Sequence, residues 1–193
     1  VLFDAIDDVS RSDERFARCL RFRVHGAVAP PMARKIRAAV PPEQLEIGPY
    51  IPHDRMLDTL YEPQVLTLAI NTFRFHRATV PAKLYEYLPT GNPVLGLGPP
   101  DGDAAAILEE TGRGRLFGPG DRDGVSAWLR ALFAAWRAGR LNTGTTRFPR
   151  YERPAQAAQL AERLDVLTRT GCIPSRPDAE KPGPGTSTRC TSA

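Results

Sequence analysis

Two residues, Lys83 and Glu86, stand one helical turn apart inside the run Thr79-Val-Pro-Ala-Lys-Leu-Tyr-Glu-Tyr-Leu-Pro-Thr-Gly-Asn-Pro-Val-Leu-Gly-Leu-Gly98. The run reads as the end of a polar loop, a short helix opened by Pro81, a break at Gly91, Asn92 and Pro93, and a strand from Val94 to Leu97. A loop that feeds a helix start presents unpaired backbone N–H groups and the positive end of the helix dipole, and both favour an anion. The segment Ala78 to Ala82, with Thr79, Val80 and Pro81 at its centre, is expected to supply that cradle. A carboxylate one turn further in repels phosphate, so Glu86 is expected to read a hydroxyl beside it. Two plainer roles compete: Glu86 as a solvated helix carboxylate, and Lys83 as its i,i+3 partner instead of a cation for the ligand.

Other chemistry is sparse. His25, His53 and His76 lack metal-ligand spacing relative to one another, so no metal is predicted. His53 reads as part of a helix start and His25 as a solvent-facing strand residue. There is no Gly-x-Ser-x-Gly elbow, P-loop or Asp-x-Asp pattern, which removes support for hydrolase, kinase and metal-dependent transferase readings. Asp101 and Asp103, the nearest acidic pair, are explained by helix capping. Gly26, at a strand end, allows close backbone approach.

The elements that position these residues alternate. A helix over Val1 to Val9 precedes a strand from Leu20 to Gly26, whose apolar Leu20, Phe22 and Val24 alternate with polar neighbours. Ala29-Pro-Pro opens a helix through Ile36 that Pro41 and Pro42 end. Leu45 to Ile47 is a strand, Gly48 to Pro52 a turn, and Asp54 the expected N-cap of a helix through Leu60. Val65 to Ile70 is nearly all apolar, as a strand buried on both faces would be. After a polar loop, Asn71 to Thr79, and the central run come a helix Ala104 to Glu110, a strand Arg115 to Phe117, and a long helix. That helix carries the stripe Val125, Trp128, Leu129, Leu132, Phe133 and Trp136. A last helix, Pro154 to Thr168, sets Ala157, Leu160, Ala161, Leu164 and Leu167 on one face, expected to point inward.

This alternation predicts an α/β fold with a parallel sheet and helices on both faces, over residues 1–170. Ligands of such sheets bind at the carboxyl ends of the strands, where the loops after Val24, Ile47, Ile70 and Leu97 converge. Residues 171–193 are rich in Pro, Gly, Ser and Thr and are expected to form a disordered tail.

At 193 residues the chain suits one domain. Its charged residues, 25% of the total with a net charge of +4, are interspersed, so no basic stripe marks a nucleic-acid partner. Cys19, Cys172 and Cys190 give neither a disulfide framework nor a zinc pattern, and a reducing, cytoplasmic location is the simplest expectation. No apolar run reaches the roughly 20 residues of a spanning helix, and no signal peptide is visible. The chain opens at Val1 inside an amphipathic pattern, which reads as a piece of a longer polypeptide.

Pro81, Lys83, Tyr85-Glu86-Tyr87, Gly91 and Pro93-Val94 resemble the donor-binding half of GT-B glycosyltransferases, especially the group-1, family-4-like enzymes that use nucleotide-activated sugars. The resemblance spans roughly Leu20 to Leu167 and implies the Rossmann-like C-terminal domain of such an enzyme. It implies that Glu86 accepts hydrogen bonds from the ribose, that the loop at Thr79, Val80 and Pro81 wraps the diphosphate with Lys83 near it, and that Tyr50, Ile51 and Pro52 hold the base. It also implies a hexosyltransferase that needs no cofactor or metal. The nucleotide-sugar donor is its substrate, and a separate N-terminal domain holds the acceptor and makes any peripheral membrane contact. The chain departs from many relatives at Ala78, where they carry a second Glu that contacts the donor sugar. Arg74, His76 and Arg77 are the only nearby cations, and two readings stay open for them: a replacement for the phosphate-binding Arg and Lys of relatives, or plain loop charge. Two alternatives stay open: a non-catalytic sugar-nucleotide-binding module, and a GT-B protein of the nucleotide-sugar epimerase type.

Overall fold

The computed structural model describes residues 1–71, 76–141, 144, 145 and 147–169. The expected disordered tail, Cys172, Cys190 and Arg74 lie outside the described residues. The chain divides into two compact units, Val1–Pro149 and Arg150–Ala193.

In the first unit, α1 (Leu2–Ser12) buries Leu2, Ala5, Ile6 and Val9, one stripe at helical spacing. Asp13 caps α2 (Glu14–Cys19) by accepting from the amides of Arg15 at 2.9 Å and Phe16 at 3.1 Å. The chain then alternates through β1 (Phe22–His25), α3 (Pro30–Ala39), β2 (Leu45–Gly48), α4 (His53–Thr59) and β3 (Leu66–Ala69). It continues with α5 (Ala82–Tyr87), β4 (Val94–Leu97), α6 (Asp103–Thr111), β5 (Gly114–Phe117) and α7 (Arg122–Arg137).

All strand pairing is parallel, and the α/β class stands. The strands nevertheless form two sheets, where the alternation predicted one: β1 pairs with β2, while β3, β4 and β5 form a second sheet in that order. Among the described residues β1, β2, β3 and β5 each pair on one side only. Val94 and Leu95 of β4 are fully buried, as the central strand of a parallel sheet requires. β3 is not buried on both faces as its apolar sequence predicts, because Leu66 and Leu68 are buried while Thr67 and Ala69 are exposed.

The core joins α1 to the second sheet: Leu2, Ala5 and Ile6 cluster with Leu95, Phe117 and Val125. Phe3 meets Phe22 of β1 edge-on, with ring centroids 5.5 Å apart. Along α7 the predicted stripe is graded, from Val125 with no exposed surface to Trp136 at 42%. Gly114 is required because a Cβ there would sit 2.1 Å from the carbonyl oxygen of Val94.

In the second unit, α8 (Arg153–Arg169) matches the predicted last helix in extent. Its apolar stripe does not point inward: Leu160, Leu164 and Leu167 are 59%, 52% and 45% exposed. Periodicity reports an apolar face but not what covers it.

Candidate functional site

Parallel pairing within each sheet brings the strand ends to common edges, so Gly26 follows β1, Tyr50 and Ile51 follow β2, and the loop before α5 follows β3. Ile70 and Gly98 pack where β3 and β4 end, since a Cβ at Gly98 would lie 2.9 Å from that of Ile70. A one-turn helix at His76–Ala78 lies against the loop after β4: a Cβ on Gly102 would meet the Arg77 carbonyl at 2.8 Å, and the Arg77 guanidinium pairs with Asp101 at 2.9 Å. Asp101 is thus an ion-pair partner, and the N-cap of α6 is Gly102 without a side-chain cap. That corrects the capping role expected for the acidic pair. Asp54 is likewise not a cap; it lies in the first turn of α4, behind Pro52 as N-cap.

Pro81 is the N-cap of α5, as its sequence predicts. The Leu84 amide is consumed by the Pro81 carbonyl at 2.9 Å, whereas the amides of Ala82 and Lys83 have no backbone acceptor among the described residues. With six residues α5 has little macrodipole, so the cradle rests on those amides more than on the helix as a whole. Thr79, Val80 and Pro81 are half-buried and Lys83 is exposed. Behind them Leu84 is fully buried and Tyr87 nearly so, which anchors the inner face of α5. Burial, and then the Glu86 charge, hold the Tyr87 phenol above its ordinary pKa.

Glu86 does not pair with Lys83. Its Oε1 lies 3.6 Å from Nε2 of His53, and its side chain is 29% exposed. His53, expected only to decorate a helix start, therefore belongs to the site. The contact brings α5 to the first residue of α4, directly behind Tyr50, Ile51 and Pro52. Tyr50 is 76% exposed, an aromatic face open to solvent, while Ile51 is half-buried. Gly26 has a φ of 105°, in the region that favours glycine, and nothing lies within 4 Å of where a Cβ would stand. His25 departs from its expected solvent-facing role: its Nδ1 is buried without a partner against Gly48, where a Cβ would come within 2.6 Å.

Two surface hollows lie away from this rim. One of about 210 Å³ is lined by Arg15, Arg18, Phe133 and Trp136, and the other, of about 480 Å³, by Asp8, Ser126 and Arg130. Among the described residues no three His, Cys, Asp or Glu side chains gather as metal ligands, and no helix is long and apolar enough to cross a membrane.

No protein-family model matches the chain, and no curated protein matches it in sequence.

Proposed function

We propose that this chain is a donor-binding domain of a GT-B glycosyltransferase and that it holds a nucleotide-diphosphate sugar at the carboxyl ends of its parallel strands. The observation that carries the reading is the approach of Glu86 to His53. Glu86 follows the amides of Ala82 and Lys83 along α5 and meets His53, which follows the Tyr50-Ile51 turn, and this supports the order diphosphate, ribose and base for the ligand. Ala82 and Lys83 donate backbone N–H groups to the diphosphate, Glu86 accepts from ribose hydroxyls, and Tyr50 and Ile51 flank the base. Gly26 leaves room for the ligand at the end of β1. Charge that develops on the departing nucleotide is met by the same amides, so the chain's catalytic contribution is electrostatic. The acceptor is bound by a separate domain, and this chain alone binds the donor without turning it over.

Calorimetric titration with uridine and guanosine diphosphates tests the reading. Micromolar to millimolar affinity for one of them supports it, and no heat with either at millimolar concentration removes it. Ala78 favours a second reading, a sugar-nucleotide-binding module without catalysis. The two part on donor hydrolysis by the full-length protein, which the transferase shows and the module does not.

A further inference from the structure

His25 closes β1, and its register partner across the ladder is Gly48, the last residue of β2. Side chains two apart on a strand share a face, so His25 stands on the same face as Arg23. The Arg23 guanidinium is held by Glu46 at 2.9 Å and by Glu62 at 2.6 Å. The imidazole lies over Gly48, where a Cβ would come within 2.6 Å of Nδ1 and 3.1 Å of Cε1. Glycine leaves the space that the ring fills.

The two ring nitrogens differ in their surroundings. Nδ1 is buried without a hydrogen-bond partner. Nε2 is not buried in that way and bonds to nothing among the described residues, so it opens to solvent. A neutral imidazole carries one N–H and one lone pair, and the two tautomers exchange their places. The Gly48 hydrogen that stands in the direction of the missing Cβ points toward Nδ1. A lone pair meets that C–H favourably, whereas an N–H would set hydrogen against hydrogen. The lone pair therefore belongs to Nδ1, and Nε2–H is a donor that faces outward. Because Gly48 fixes Nδ1 in this way, the ring cannot change tautomer to accept a hydrogen bond at Nε2.

The position of this donor on the rim decides what it meets. Tyr50 and Ile51 come two and three residues after Gly48, so His25 borders the turn assigned to the base. The amides assigned to the diphosphate lie on α5, which follows β3 of the other sheet. Gly26, directly after His25, has nothing within 4 Å of where a Cβ would stand and leaves the approach open. With Arg23 already neutralised by two carboxylates, this face suits an uncharged acceptor better than a phosphate.

We propose that His25 selects the base of the nucleotide, with Nε2–H donating to the exocyclic oxygen of a keto base, O4 of uracil or O6 of guanine. The inference rests on the donor-binding reading and narrows its substrate to uridine or guanosine diphosphate sugars. Cytosine and adenine carry an amino group at the corresponding position. Against them two donors face each other and the imidazole loses its acceptor, which costs about tenfold in affinity. His25 is thus a specificity residue, which touches the base and takes no part in breaking the glycosyl bond.

Calorimetric titration of the 193-residue chain with uridine, cytidine, guanosine and adenosine diphosphates in slightly alkaline buffer tests this. One keto nucleotide should bind about tenfold more tightly than its amino counterpart. His25→Phe keeps a flat ring over Gly48 and lacks the donor, so it should bring the two to within about twofold of each other. A long-range proton–nitrogen NMR correlation on the parent should show the Nε2–H form of His25. The proposal is overturned if that spectrum shows Nδ1–H, if the parent binds keto and amino nucleotides alike, or if a folded His25→Phe keeps the preference. Should that variant not fold, the spectrum and the parent's selectivity decide. Failure of all four nucleotides to bind removes the transferase reading and this inference with it, whereas binding without preference removes this inference alone.

Discussion

Nε2 of His53 lies 3.6 Å from Oε1 of Glu86, linking the first residue of α4 to the last turn of α5. A near-surface contact of this kind is worth at most about 1 kcal/mol, so its value is orientation more than stability. Replacing His53 with Ala should cost at most about 1 kcal/mol of stability and weaken nucleoside diphosphate binding by up to about fivefold, the range that this energy allows. An unchanged dissociation constant would show that Glu86 needs no support from α4.

The close approach of β4 and β5 leaves no room for a side chain at Gly114, where a Cβ would overlap the Val94 backbone at 2.1 Å. Backbone in a ladder cannot step aside as a flexible side chain can. Gly114→Ala should therefore cost about 3 kcal/mol or more, or prevent folding. Urea unfolding checks it, and a loss below about 1 kcal/mol would mean that the ladder yields at little cost.

Asn92 is 2% exposed, and its Nδ2 donates to the Leu60 carbonyl at 3.1 Å, tying the turn after α5 to the end of α4. Asn92→Ala leaves that buried acceptor without its donor, at an expected cost of about 1–3 kcal/mol in urea unfolding. Equal stability of the two proteins would mean that water replaces the amide.

The carboxylate of Asp8 on α1 is bonded by the guanidinium of Arg122 on α7, which holds its pKa below the ordinary value of 3.8. A carboxylate with a depressed folded pKa contributes stability that is fully present above the ordinary value and lost as pH falls through the folded one. Asp8→Asn should therefore lower the melting temperature at pH 7, and the difference from the parent should close below a pH of about 3.8. Both groups are exposed, so added salt should shrink the difference too. A gap that persists at low pH would assign the effect to packing of α1.

Local signals carried most of the architecture. Pro81, the Pro30-Pro31 pair and Gly112 mark helix ends because their backbone constraints act within a few residues, and the structure uses each of them at or next to such an end. The apolar runs of β3 and β4 identify strands for the same reason. What periodicity does not encode is the neighbour. The split into two sheets, the exposed stripe of α8 and the meeting of His53 with Glu86 all depend on contacts distant in sequence. Lys83 lies within reach of Glu86 by helical spacing alone, yet the carboxylate turns to a histidine on another helix.

The most direct test of the central claim is a pair of titrations, with uridine or guanosine diphosphate and its 2′-deoxy form, on the parent chain and on Glu86→Gln. A hydrogen bond to a charged group contributes about 1.5–3 kcal/mol. The parent should therefore bind the ribonucleotide at least tenfold more tightly, while Glu86→Gln loses affinity for it and no longer distinguishes the two ligands. Equal affinity of the parent for both forms, or a variant that keeps the preference, would contradict the assignment of Glu86 to the ribose.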